Sequence, residues 1–169
     1  EIYCTLLQEV VTPLLHMCDP FTGEGVTTLS CFAGCTNLIS VYDGVFSKNR
    51  QATKLDDLFK ECKKIYRMNP KILEGLDIIS LEGAFANSGI SSLSTDFMKK
   101  CPNVQNVSNM FRGCSFIKSI PEDFFKYNQE INNFDLCFSF CSSLTTIPPD
   151  LFRYNTNATG FFSCFQNCS

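Results

Sequence analysis

The sequence predicts a solenoid of the α/β class: short parallel β-strands joined by short helical or 3-10 turns, in about six coils of 26–27 residues. Three observations predict it. A Phe followed three residues later by Cys recurs at Phe32/Cys35, Phe59/Cys62, Phe111/Cys114, Phe138/Cys141 and Phe165/Cys168. A degenerate copy at Phe85/Ser88 fills the gap, so successive anchors fall 27, 26, 26, 27 and 27 residues apart. Each anchor is followed by the same order of apolar sites, and Pro and Asn punctuate that order at fixed offsets.

The elements of one unit follow in turn. Three residues after the Cys comes an aliphatic residue (Leu38, Ile65, Ile117, Leu144), and three further on a second apolar one (Val41, Met68, Ile120, Ile147). Leu144 to Ile147 is short and β-friendly, and equivalent segments one coil apart can pair as parallel strands about 4.8 Å apart. Parallel neighbours need a crossover of a dozen or more residues, which the rest of the unit supplies. Pro121 and Pro148 suit the start of a helical turn, where a missing N–H costs nothing. Residues 121–128 therefore predict a short helical or 3-10 turn, with Glu122 and Asp123 early and Lys126 late, as the helix dipole favours. Its Phe124-Phe125 pair belongs inside, and Asn128 turns the chain at the end. Two further apolar sites, such as Ile131 and Phe134, close the unit. No single coil can bury so many apolar residues, whereas a stack can.

The chain reads as one domain over residues 1–169: an irregular first coil at 1–27 and regular coils at 28–169. In the first coil Cys4, Leu7, Val10 and Leu14-Leu15 fit the template, with Cys18 in the Asn slot and an insertion at 19–26. Neither end looks like a polar capping repeat, so the sequence is expected to be a fragment of a longer array, or one whose ends other protein covers.

A hydrophobic content of 44% with 17 Phe is ample for a continuous core. Net charge is −3 with no basic stripe, which argues against nucleic acid as a partner. No apolar run approaches the roughly 20 residues of a membrane span. Eleven Cys would ordinarily suggest disulfides. Here the Phe+3 column (Cys4, Cys35, Cys62, Ser88, Cys114, Cys141, Cys168) instead asks for a small buried side chain, and free thiols stacked as a structural ladder are favoured. Disulfides between coils remain an alternative, because adjacent coils bring Cα atoms within bridging range.

Sharper chemistry finds little support. Cys137, Cys141, Cys164 and Cys168 could in principle hold zinc, but their spacing is looser than that of structural sites and both columns read as core. His16, the single histidine, lies in the irregular coil, with Cys18 the one cysteine beside it that leaves the repeat pattern. A surface role outweighs a nucleophilic pair there. There is no Gly-rich phosphate loop, and Asp56-Asp57 and Glu122-Asp123 sit where solvation explains them. The sequence thus predicts no catalytic residues, no metal and no cofactor. The sequons at Asn106, Asn157 and Asn167 read as products of Asn/Ser-rich turns.

The positions between the two aliphatics of each unit are the candidate ligand-binding face. They include Tyr66 and Arg67, Ser91 and Ser92, Lys118 and Ser119, and Thr145 and Thr146. Tyr and Arg are enriched at binding hot spots, so these two lead the group. The insertion at 19–26 is the second candidate.

Residues 110–128 (Met-Phe-x-x-Cys through Lys-Ser-Ile-Pro-Glu-Asp-Phe-Phe-Lys-Tyr-Asn) and 137–155 closely resemble the BspA-type leucine-rich repeats of bacterial surface proteins, mycoplasma lipoproteins and some mucosal protozoa. The resemblance covers about residues 28–169. Departures are the Ser88 coil, one residue short, and the coil at 59–84, where Asn69 stands in place of the first Pro. The resemblance implies a leucine-rich repeat solenoid at the cell surface, and among relatives adhesins that bind host matrix proteins or neighbouring cells. The function expected is therefore a non-catalytic extracellular module that binds a protein or glycan, with contacts to further repeats or subunits at its ends. The alternative is a structural spacer, or a component of a surface or virion assembly.

Overall fold

The structure is a computed structural model that describes residues 9–10, 28, 30–47 and 49–168. The expectations for Cys4, His16, Cys18 and the insertion at 19–26 lie outside the described residues.

The expected α/β leucine-rich repeat solenoid of parallel strands is overturned. The described residues hold one two-residue parallel pair, β1 (Glu9–Val10) with β2 (Ser40–Val41), a 3-10 turn at Pro70–Leu73 and one helix, α1 (Thr95–Lys99). Nearly everything else is turn and coil. Residues 144–147 form no strand, and 122–127 form consecutive turns rather than a helix.

The reason lies in the backbone on either side of each anchor Phe. The residues two before and two after it adopt left-handed conformations: Asp57 and Glu61 (φ 55° and 63°), Asn109 and Gly113 (55° and 73°), Leu136 and Phe140 (57° and 60°). Bonds three residues apart, such as those from the Leu58 N–H to the Leu55 carbonyl and from the Cys62 N–H to the Phe59 carbonyl, close turn after turn through this segment. A chain that reverses its handedness every few residues cannot run extended, so no strand propagates.

Successive units nevertheless meet through hydrogen bonds. The N–H groups of Asp57, Phe59 and Glu61 donate to the carbonyls of Glu82, Ala84 and Ala86 at 2.8, 2.7 and 2.8 Å. The same alternate donors repeat one unit on, from Gly83, Phe85 and Asn87 to Ser108, Met110 and Arg112. Single parallel bridges link Thr28, Lys54, Ser80, Asn106, Asn133 and Gly160 in succession. Backbone groups that strands would have paired are thus satisfied turn against turn.

Side-chain columns supply the packing. Phe32, Phe59, Phe85, Phe111, Phe138 and Phe165 stack ring on ring, with neighbouring centroids 5.3 to 5.8 Å apart. Each fully buried Phe contributes about 1.5–3 kcal/mol, and offset stacking adds to that. The Cys column sits beside it, and its thiols act as donors: Cys62, Cys114, Cys141 and Cys168 reach the carbonyls of Phe32, Phe85, Phe111 and Phe138 at 3.0 to 3.2 Å. Cys35, Cys62, Cys114 and Cys141 are buried, and Cys168 is half-buried. None of the described cysteines is in a disulfide. In the degenerate unit Ser88 takes the Cys place, 3.6 Å from the Cys114 sulfur. There Gly89 lets the shortened loop approach, since a Cβ would run into the Lys63 carbonyl.

A third column is amide. Asn128 is wholly buried and donates from Nδ2 to the carbonyls of Met98 (2.9 Å) and Cys101 (2.7 Å). Asn155 repeats the motif one unit on, toward Phe125 (3.4 Å) and Asn128 (2.7 Å). α1 forms where Ser94 caps it by accepting from the Phe97 N–H, with Asp96 early and Lys99 late. It buries Phe97 and Met98. Ile147, expected inside, is 45% exposed, whereas its counterpart Ile120 is 5% exposed.

Candidate functional site

All eight residues of the predicted binding face are exposed. The structure gathers half of them. The Tyr66 carbonyl accepts from the N–H groups of Ser91 (3.0 Å) and Ser92 (3.3 Å) and from the Ser91 hydroxyl (3.4 Å), and Arg67 bridges Ser92. The Arg67 guanidinium lies 5.7 Å from the Tyr66 ring centre. Lys118, Ser119, Thr145 and Thr146 share the exposure without the link: among the described residues no bridge joins Ser119 to Ser92 or Thr146 to Ser119. The part of the expected face tied together by backbone bonds is therefore the Tyr66–Arg67 and Ser91–Ser92 segments.

The opposite side of that patch opens into a cleft of about 460 Å³. β2 pairs with β1 and Arg67 with Ser92, but the two segments facing each other across the cleft, 39–41 and 67–68, are not bridged. The 27-residue step from Ser40 to Arg67 is thus unbridged, as are the steps from Ser92 to Ser119 and from Ser119 to Thr146. Asn69 holds the two segments in this arrangement. Its Nδ2 donates to the Val41 carbonyl (3.4 Å) and to the Asp43 carboxylate (3.1 Å), while its Oδ1 accepts from the Lys71 N–H (3.1 Å) and caps the 3-10 turn.

The floor of the cleft is apolar, from Phe59, Ile65, Met68 and Ile72, all of them almost fully buried. Its rim is polar. Lys71 Nζ sits 2.8 Å from Asp43, and that hydrogen bond, with the one from Asn69, holds the Asp43 carboxyl below its usual range. Asp43 raises Lys71 in return. Arg67 has no carboxylate partner among the described residues. With Asp43 matched to Lys71, the rim carries one uncompensated positive charge. The sequence singled out Arg67 but not Asp43, Asn69 or Lys71. The signal available was Asn69 itself, standing where other units carry Pro.

The buried thiols are held in their neutral form. Burial pushes the Cys101 thiol up to about 12 and the Cys114 thiol up to about 11, and Cys137 is likewise raised well above the ordinary thiol range. Such thiols stay protonated near neutral pH and are poor nucleophiles. Among the described residues no three His, Cys, Asp or Glu side chains gather as a metal site, the Cys137/Cys164 columns included. Among them also, no helix is long and apolar enough to cross a membrane. No protein-family model matches the chain, and no curated protein is detectably similar to it.

Proposed function

We propose that this chain is a non-catalytic binding module that grips a protein or glycan at the cell surface through the patch around Tyr66 and Arg67. The observation that carries the reading is this patch: an exposed Tyr and Arg held by backbone bonds to Ser91 and Ser92, beside a cleft with an apolar floor. Recognition sites combine an apolar surface with a few fixed polar groups in this way. The likeness of residues 110–155 to BspA-type surface proteins supports the extracellular setting.

The test is a screen of the protein against host matrix proteins and a glycan panel, alongside a Tyr66→Ala/Arg67→Ala variant. A saturable ligand lost in the variant is the expected outcome. The absence of any ligand at high micromolar concentration sinks the reading. It would leave the structural spacer, which draws on a different observation: Phe161 and Phe162 are 40% and 72% exposed, whereas Phe134, the counterpart of Phe161 one unit earlier, is completely buried. A spacer would cover that apolar face with a neighbouring unit or subunit.

A further inference from the structure

Resting on the binding reading, we infer that the cleft between Ser40–Val41 and Arg67–Met68 is an anchoring subsite for an extended acidic peptide, with a carboxylate on Arg67 and the next aliphatic side chain on the floor. Three independent features of the cleft converge on that occupant.

The first is backbone. In the bridge to Ser92 the chain uses the Tyr66 carbonyl, and along an extended segment successive residues point their peptide groups to opposite sides. The Arg67 N–H and C=O therefore face the cleft. Among the described residues the Arg67 N–H makes no hydrogen bond. An unpaired main-chain donor and acceptor side by side are what a peptide adds to when it extends a ladder. The step between Ser40 and Arg67 is unbridged and opens into the cleft, which leaves the place for it.

The second is charge. Asp43 is committed to Lys71 and Asn69, so among the described residues the guanidinium of Arg67 is the one charged group on the rim without an opposite charge beside it. Its planar fork fits a carboxylate with two parallel bonds. Its present neighbour, the Tyr66 ring, leaves the N–H groups free to do so.

The third is the floor. Ile39, 39% exposed, supplies accessible apolar surface in the cleft beside the almost fully buried Phe59, Ile65 and Met68. Met packs adaptably against varied aliphatic side chains. A volume of about 460 Å³ lies within the range of sites for small ligands, and is too small to admit a folded domain.

The experiment titrates the whole chain with a capped tetrapeptide, Val-Glu-Leu-Thr, and follows the amide resonances of residues 39–41 and 66–72. The Gln-for-Glu peptide, the Gly-for-Leu peptide and a uronic-acid oligosaccharide are run beside it. The expected result is saturable binding with shifts confined to the cleft, weakened about tenfold by Arg67→Gln and equally by the Gln peptide. The thermal midpoint of Arg67→Gln serves as the folding control and should match the parent. Equal binding of the Glu and Gln peptides, indifference to Arg67→Gln, or preference for the oligosaccharide would each overturn the acidic-peptide assignment. A ligand from the wider screen that depends on Tyr66 but leaves the cleft resonances unmoved would overturn the subsite alone and leave the binding module standing. No binding in either experiment removes both.

Discussion

Replacing Asn128 with Ala removes a wholly buried amide that ties two units together. Its Nδ2 gives up bonds of 2.9 Å to Met98 and 2.7 Å to Cys101. Both carbonyls keep a backbone donor, from the Cys101 N–H at 3.0 Å and the Val104 N–H at 3.2 Å, so neither is orphaned. The loss is then about 1 kcal/mol per bond plus a smaller term for the void, offset by removal of the buried Asn128 Oδ1, which has no partner among the described residues, or roughly 1–2 kcal/mol in all. Asn155→Ala should cost less, about 0.5–1 kcal/mol, since one of its two bonds is stretched to 3.4 Å and its Oδ1 is likewise without a partner among the described residues. Asn128→Asp is the sharper variant. It keeps the shape but points a carboxylate at two carbonyl oxygens, and burial lifts that carboxyl above its unfolded value. A raised folded value means stability is greatest below the unfolded value near pH 4 and falls as pH climbs, by about 1.4 kcal/mol per unit. The chain has no Trp, so urea unfolding is followed by circular dichroism. The reasoning fails if Asn128→Ala shifts stability by under about 0.5 kcal/mol, or if the Asp variant is equally stable at pH 4 and pH 7.

Other outcomes follow from the same geometry. The thiols of Cys101 and Cys114 ionise near 12 and 11 when folded against 9.0 for an ordinary thiol, so their contribution is full below pH 9 and is lost as pH rises toward those values. By pH 10 the two together should remove about 3 kcal/mol, seen as a falling thermal midpoint that a Cys101→Ala variant partly flattens. Alkylation at pH 8 should leave Cys101, Cys114 and Cys137 unmodified until denaturant is added, read by peptide mass spectrometry. Phe140→Gly relieves a left-handed residue (φ 60°) whose ring is 44% exposed, and should gain about 0.5–1 kcal/mol net of glycine's entropy and the lost contact with Arg112; a loss of stability in urea would contradict the strain argument. Tyr42→Phe deletes a buried hydroxyl that has no partner among the described residues, and should hold stability level or raise it by about 1 kcal/mol in the same assay.

Much of the core was legible because hydrophobic burial follows composition and spacing. Phe32, Phe59, Phe111 and Phe138 are buried where their period placed them, and Leu38, Ile65 and Ile117 with them. The strands were misread because the aliphatic pair looks the same whether its backbone is extended or turning. A sign of the turns was nonetheless present. Two residues after the anchor stand Gly34, Asn87, Gly113 and Asn167, all at positive φ and all residue types that tolerate it. Phe140 and Glu61 hide the pattern, since they hold the same conformation with no propensity for it.

By itself the sequence determined the period and which residues recur at each place in it: Phe, Cys three residues on, and Asn toward the end of the unit. Those columns rest on side-chain size and polarity, which repeat with the residues. The tertiary structure alone decided how the backbone meets itself, turn on turn instead of strand on strand, because hydrogen-bond partners and the hand of each dihedral are settled between units. It also decided that a cleft opens at the unbridged step between Ser40 and Arg67. One polar side chain, Asn69, bonds across to Val41 and Asp43 there, and the cleft opens where a backbone bridge would otherwise have closed.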